Sequence, residues 1–445
     1  MMIKKLLNIA LCLCFLASTE VKAQDTCHVA LMVPLYLEQV DDEFFESEPS
    51  NKMLLTKPFS FLHFYEGFMI AADSVVSMRD MILDLKVYDV DNDTQKATDA
   101  IADPWLADAD MIVGPFYIKP FKIVSEFAAL HNIPIVNPVT PRTDVVENHP
   151  NVIKVKPSIE SQMMQLDSLI KNHYHSNSVF IIRQDTYSDT AIVNKINEIA
   201  SRNIDSCSYV GNKHIVNTIK SHQKRWKYLK INYNASEYLT DNISLNADSL
   251  KRVIDDSTAL RNMVVNINYK SDSLNPVKDY ASSMRNNLII VYGNDKVFAN
   301  EIVNKVTKLI EHYPITVVML PEWSKFTGLF NDNLMKMHAI YFDDKHIDYQ
   351  NIRVQSFICK FRNRYETEPN DYAYLGFDIG WYFLNALDLF GDHMVKYLDD
   401  YEIPLLQTRF HFQKKSEESG YENMFWNVYQ FKGYNKVLLK TGYEK

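Results

Sequence analysis

Short apolar runs alternate with amphipathic stretches along nearly the whole chain, and that alternation most limits what it can fold into. Val29 to Leu35 is an apolar run closed by Pro34, the pattern of a buried strand. Residues 41–57 are polar and acidic and read as a loop. Phe61, Phe64, Tyr65, Phe68, Met69, Ala72, Val75 and Val76 then recur at helical spacing. Leu83 to Tyr88 is a second strand, followed by a helix that Asp93 or Thr94 can cap. Met111 to Val113, a helix over about 119–131 and a strand at Ile133 to Val136 complete the first series. This order predicts an α/β fold: a parallel sheet with helices on both faces.

The pattern restarts after Pro157. A helix is predicted over Ile159 to Lys171, a strand at Val179 to Ile182 and a helix at about 191–201. Residues 215–261, rich in Asn, Asp, Ser and Lys, read as an insertion. Strands at Asn287 to Tyr292 and Ile315 to Leu320 flank a helix over Ala299 to His312. An apolar helix covers Tyr372 to Phe390, and strands are predicted at 409–413, 425–431 and 436–440. A chain of 445 residues has room for two or three domains.

The first 23 residues have the make-up of a cleavable export signal. Lys4 and Lys5 are followed by an apolar stretch from Leu6 to Ala17, too short to span a bilayer, and Val21-Lys22-Ala23 suits cleavage before Gln24. The expected location is the periplasm. Cleavage removes Cys12 and Cys14 and leaves Cys27, Cys207 and Cys359, whose pairing stays open. A lipid anchor on Cys27 would need small or aliphatic residues before it, and Gln24-Asp25-Thr26 does not supply them. The net charge of −9 and the lack of a long basic stripe argue against a nucleic-acid partner. Lys224-Arg225-Trp226-Lys227 reads as one solvated helix face.

Catalytic and cofactor signatures are missing. The 11 glycines form neither glycine-rich phosphate cradle, and there is no GxSxG elbow and no HExxH. Asp89-Val90-Asp91-Asn92-Asp93 starts like a calcium loop, but Thr94 and Ala100 stand where that loop needs Gly and Glu. A strand-end turn feeding a helix cap is the preferred reading. No cofactor, no metal and no enzymatic activity are expected.

Four segments, taken together, resemble the type I periplasmic-binding family, which includes leucine/isoleucine/valine-binding proteins. They are Val29 to Leu35 with Glu66 to Asp73; Asp110 to Phe116 with Ile133 to Pro138; Val179 to Ile182 with Asp185-Thr186-Tyr187; and Phe361 to Tyr365 through Glu368-Pro369-Asn370 to Gly376-Phe377-Asp378. Leu320-Pro321-Glu322-Trp323 and Gly420-Tyr421-Glu422-Asn423 are similar to a branch common in Bacteroidetes. The resemblance implies two Rossmann-like lobes with parallel central sheets and three hinge crossovers. Lobe one would comprise 27–157 plus 348–393, and lobe two 158–347 plus 394–445.

The resemblance also implies a small polar, amino-acid-like solute held between the lobes for transport or sensing, with an inner-membrane ABC transporter as partner. Ligands of open α/β sheets lie beyond the carboxyl ends of the strands. The expected ligand-binding residues are therefore Pro115, Phe116, Tyr117, Thr140, Tyr187 and Glu322, with Glu322 facing a ligand amine. The chain departs from the amino-acid binders at Phe116-Tyr117-Ile118-Lys119-Pro120, where they carry a Ser/Thr-rich loop for the ligand carboxylate. The alternative expectation is an interaction module of the cell envelope with an envelope-protein partner. It would be similar to the lipoprotein activators of peptidoglycan synthases and act on peptidoglycan machinery.

Overall fold

The computed structural model describes residues 26–39, 59–79, 81–175, 177–185, 190–203, 208–210, 263–269, 274–283, 285–320, 323, 326, 331–433 and 435–439. The export signal (1–23), the segment 215–261, Cys207, Tyr187 and Glu322 lie outside the described residues. The chain divides into two compact units, residues 1–156 with 347–422 and residues 157–346 with 423–445, so it passes from one to the other three times.

In the first unit, β1 (Thr26–Val33) pairs in parallel with β2 (Ile82–Asp89) and with β3 (Met111–Val113). Helix α1 (Leu62–Met78) joins β1 to β2, α2 (Thr94–Ile101) precedes β3, and α3 (Ile118–Leu130) leads to β4 (Ile135–Asn137). Asp93 caps α2 by accepting the N–H of Gln95. The acidic run is thus the strand-end turn and helix cap read from the sequence. Strand β5 (Val152–Lys154), which no pattern in the sequence announced, lies parallel to β4.

The chain then enters the second unit. It runs through α4 (Ile159–Leu169), a π-helical turn at Ile170–Tyr174, β6 (Ser178–Gln184), α5 (Thr190–Asn203), β7 (Ser208–Val210) and β8 (Met263–Tyr269). There follow α6 (Asn275–Tyr280), β9 (Asn287–Tyr292), α7 (Lys296–Leu309), β10 (Ile315–Leu320), α8 (Asn331–Lys336) and β11 (Ile340–Asp343). Strands β9 and β10 are buried at every position, as continuous apolar runs in a parallel sheet should be.

Returning to the first unit, α9 (Ile352–Tyr365) and α10 (Asp371–Phe390) are followed by β12 (Phe412–Lys414) and β13 (Tyr421–Asn423). β14 (Asn427–Lys432) and β15 (Asn435–Leu438) close the chain in the second. The first sheet runs β12-β13-β5-β4-β3-β1-β2 and the second β15-β14-β11-β10-β9-β6-β8-β7. The second is parallel except at the end, where β14 runs antiparallel to both β11 and β15. Each unit is thus a mostly parallel sheet covered by helices, the expected fold class.

Helices α1 and α10 cross in close contact because both carry glycine there. A Cβ on Gly67 would stand 1.9 Å from the carbonyl oxygen of Ala373, and one on Gly376 would stand 2.0 Å from that of Phe64. The crossing buries Phe64, Phe68, Ile379 and Phe383 against β1 and β3, at about 1.5–3 kcal/mol for each large apolar side chain.

One part of the expected domain division is corrected. Residues 394–422 were assigned to lobe two with the rest of the β-rich C-terminus, but they belong to the first unit. Asp378 on α10 is fully buried and accepts the N–H groups of Leu406 at 2.6 Å and Gln407 at 2.8 Å. The rings of Phe410 and Phe412 pack on Tyr382 at 5.2 and 5.6 Å. β13 adds in parallel to β5. These partners are remote in sequence, so a run of strand-like segments did not reveal that it is split between two sheets.

Candidate functional site

The carboxyl ends of β1, β3 and β4 bring three loops of the first unit together. The loop after β1 turns at Tyr36, whose φ of 54° is left-handed. Asp89, the last residue of β2, accepts the N–H groups of Leu35, Tyr36 and Leu37 at 2.8, 3.0 and 2.9 Å. Successive N–H groups around a left-handed residue form a concavity for an anion, and here the protein's own carboxylate fills it. Lys96 on α2 lies 3.5 Å from Asp89, 3.2 Å from Asp91 and 3.5 Å from Glu38. Burial alone would lower the pKa of this ammonium, but the hydrogen bond to Asp91 and the fields of Asp89, Asp91 and Glu38 raise it.

After β3 the chain turns at Gly114 (φ 93°), where a Cβ would meet the carbonyl oxygen of Met32 at 2.2 Å. The Gly114–Pro115 peptide is cis. Pro115 is buried, and Phe116 is only 3% exposed, its ring 4.9 Å from Phe61 and 4.8 Å from Phe64. Tyr117 is half-buried beside Phe61, and its hydroxyl accepts a hydrogen bond from that of Tyr36 at 2.8 Å. Phe61 in turn meets Tyr372, at the start of α10, at 4.9 Å.

After β4, the fully buried Asn137 organises the turn. Its Oδ1 accepts the N–H groups of Val139 and Thr140 at 3.2 and 2.9 Å, and its Nδ2 donates to the carbonyl of Pro115 at 3.4 Å. Thr140 is 5% exposed, and its Oγ1 accepts the N–H of Arg142. Arg142 places both arms of its guanidinium on Asp144.

Four of the six residues expected at the site are therefore neighbours in one unit: Pro115, Phe116 and Tyr117 after β3, and Thr140 after β4. Pro115 and Phe116 serve the core there, while Tyr117 and Thr140 sit on hydrogen-bonded loops. Tyr187 and Glu322 lie outside the described residues, just beyond β6 and β10. Sequence reasoning missed Tyr36, Asp89 and Asn137 as the residues that fix these loops. The one available signal was that Asp89 and Asn137 are polar residues ending strands. Among the described residues no group of three or more His, Cys, Asp or Glu is arranged to hold a metal ion, and no helix is long and apolar enough to cross a membrane. Among the described residues, Cys27 and Cys359 are not paired with each other.

Residues 66–229 match the model of the receptor family ligand binding region. No curated protein matches the chain. Among solved structures, the chain is similar to a putative branched-chain amino acid ABC transporter protein from Rhodospirillum rubrum, at 9% identity and a TM-score of 0.56, with 93% of this chain and 100% of that one covered. A periplasmic ligand-binding protein of a branched-chain amino acid ABC transporter from Burkholderia xenovorans is 9% identical with a TM-score of 0.49, covering 94% and 95%. An ABC transporter substrate-binding protein from Desulfitobacterium hafniense, in complex with Leu, is 12% identical with a TM-score of 0.47, covering 93% and 100%. The fold shared with the Rhodospirillum protein is that of the type I periplasmic-binding proteins, and this chain has it.

Proposed function

We propose that this chain is a non-enzymatic ligand-binding protein of the periplasm, exported by cleavage after Ala23. It binds a small polar solute at the carboxyl ends of its strands and serves an inner-membrane ABC transporter or a sensor. The observation that carries this reading is the set of three loops in the first unit, each held by a buried or half-buried polar side chain. Loops fixed before binding lose little entropy on capture, so modest contacts suffice for affinity. Strand carboxyl ends are also where open α/β sheets take ligands.

A thermal-shift screen of metabolites tests it, because a ligand that binds only the native state raises the melting temperature. Tyr117→Ala and Tyr187→Ala are expected to weaken any ligand found. If that ligand bears an amine, Glu322→Gln should weaken it about ten- to a hundredfold, the worth of a charge-assisted hydrogen bond of roughly 1.5–3 kcal/mol. A ligand whose affinity none of these variants changes would place binding elsewhere. The burial of Phe116 and the tie between Tyr117 and Tyr36 favour a second reading, an envelope interaction module whose strand ends are filled by the protein itself. A screen without any hit on well-folded protein would favour it.

A further inference from the structure

The loop after β4 spends its backbone donors inside the protein. Val139 and Thr140 give their N–H groups to Oδ1 of Asn137, and Arg142 gives its own to Oγ1 of Thr140. A carboxylate taken out of water needs two or three charge-assisted donors in return. At the end of β4 those donors are already engaged. The neighbouring loop after β3 offers rings: Phe116 in the core, then Tyr117 with its hydroxyl held by Tyr36. The cations nearest the ends of β2 and β4 are engaged: Glu38, Asp89 and Asp91 surround the ammonium of Lys96, and Arg142 is bound to Asp144, while Lys119 stands exposed at the start of α3. The start of α3 keeps the N–H groups of Ile118 and Lys119, but Pro120 behind them has none.

We infer that Asn137 determines specificity: its side-chain amide stands in for a ligand carboxylate. The part of the ligand that meets the loop after β4 is therefore uncharged, and it presents a ring or apolar face to Tyr117. This rests on the ligand-binding reading above. It departs from an α-amino acid held by its carboxylate.

Matched pairs of probes test it by thermal shift and calorimetry: L-leucine with L-leucinol, benzoate with benzyl alcohol, and glucuronate with glucose. Wherever a pair binds, the carboxylate-free member should bind at least tenfold tighter. In wild-type protein, titrated sodium acetate should leave the amide resonances of Val139 and Thr140 in place. Tighter binding of the carboxylate member, or saturable shifts of those amides with acetate, would overturn the inference. An arm without ligand measures hydrogen exchange at Val139 and Thr140. Exchange should be at least tenfold faster in Asn137→Ala and stay slow in Asn137→Asp, which keeps the acceptor; equal rates in wild type and Asn137→Ala would also overturn it. If the metabolite screen yields no ligand at all, the ligand-binding reading fails, while the acetate and exchange measurements still decide whether Asn137 closes these donors.

Discussion

The two units bury polarity in different ways. Among the described residues, the first encloses Glu66, Lys154, Asp378 and Glu422, whereas the buried polar residues of the second are all uncharged: Ser, Thr, Asn and Gln. Three of the four charges in the first unit hold its discontinuous chain. Lys154 on β5 lies 3.2 Å from Glu422 on β13, its neighbour in register, and donates to the carbonyl of Lys156. Asp378 grips the segment at Leu406 and Gln407. In the second unit, Asn287 alone ties together the carbonyls of Ser282, Arg285 and Pro314. A buried ion pair adds little net stability, but it strongly penalises any arrangement that separates its members. The first unit thereby gains selectivity for one path of its returning chain, and its buried Glu66 and Asp378 carboxyls, each raised to about 7 by burial, give it a response to pH.

The largest effect should come from separating that pair. Lys154→Met leaves Glu422 buried without its counter-charge and should cost roughly 3–5 kcal/mol in urea unfolding. Lys154→Met with Glu422→Leu should recover most of it. A double variant as unstable as the single one would show that the pair does not act as a unit.

Next comes Glu66. Burial raises its carboxyl to about 7, and Oε2 has no hydrogen-bond partner, with His63 Nε2 3.9 Å away. Because the folded value lies above the unfolded one, the folded state holds the proton more tightly. Stability is then full at low pH and is lost as pH rises from the ordinary value of 4.5 to about 7. The loss is up to about 3 kcal/mol. Glu66→Gln should abolish it. Burial lowers the pKa of His63, which acts in the opposite sense, and its contribution cancels when the Glu66→Gln profile is subtracted from that of the wild type. A difference profile that is flat from pH 4.5 to 7.5 would remove Glu66 as the cause.

Asp378→Asn turns one acceptor of a two-acceptor grip into a donor and should cost about 2 kcal/mol. Its hydrogen-exchange signature should be confined to residues near 406–407. The smallest effect belongs to the second unit. Trp323→Phe loses the hydrogen bond from Nε1 to the carbonyl of Gly293 at 2.7 Å, at about 1 kcal/mol, with no dependence on pH. A pH-dependent cost there would break the contrast between the units.

The helices show how much of the fold was legible. The apolar spacing from Phe61 to Val76 announced α1 (Leu62–Met78), and Tyr372 to Phe390 announced α10 (Asp371–Phe390) to within a residue. The short strands β5 and β13 were missed although the equally short but wholly apolar β3 was not: each carries a charged residue, Lys154 or Glu422, whose burial as a pair only the fold reveals. For the candidate site, the positions of Pro115 to Tyr117 and of Thr140 at strand ends could be read from the sequence. What those side chains do could not. Phe116 became core because Phe61 and Phe64 close over it, and Thr140 was drawn into the turn that Asn137 holds.

The sequence by itself determined the alternation of strands and helices, and through it the parallel sheets, because apolar periodicity is a local property of neighbouring residues. Tertiary structure alone decided which sheet each C-terminal strand joins, and how Asp89, Asn137 and Asp378 close backbone donors. Asp89 meets the loop of Tyr36 across 53 positions and Lys154 meets Glu422 from the far end of the chain. Such partners are set by the register of a whole sheet, which no local pattern encodes.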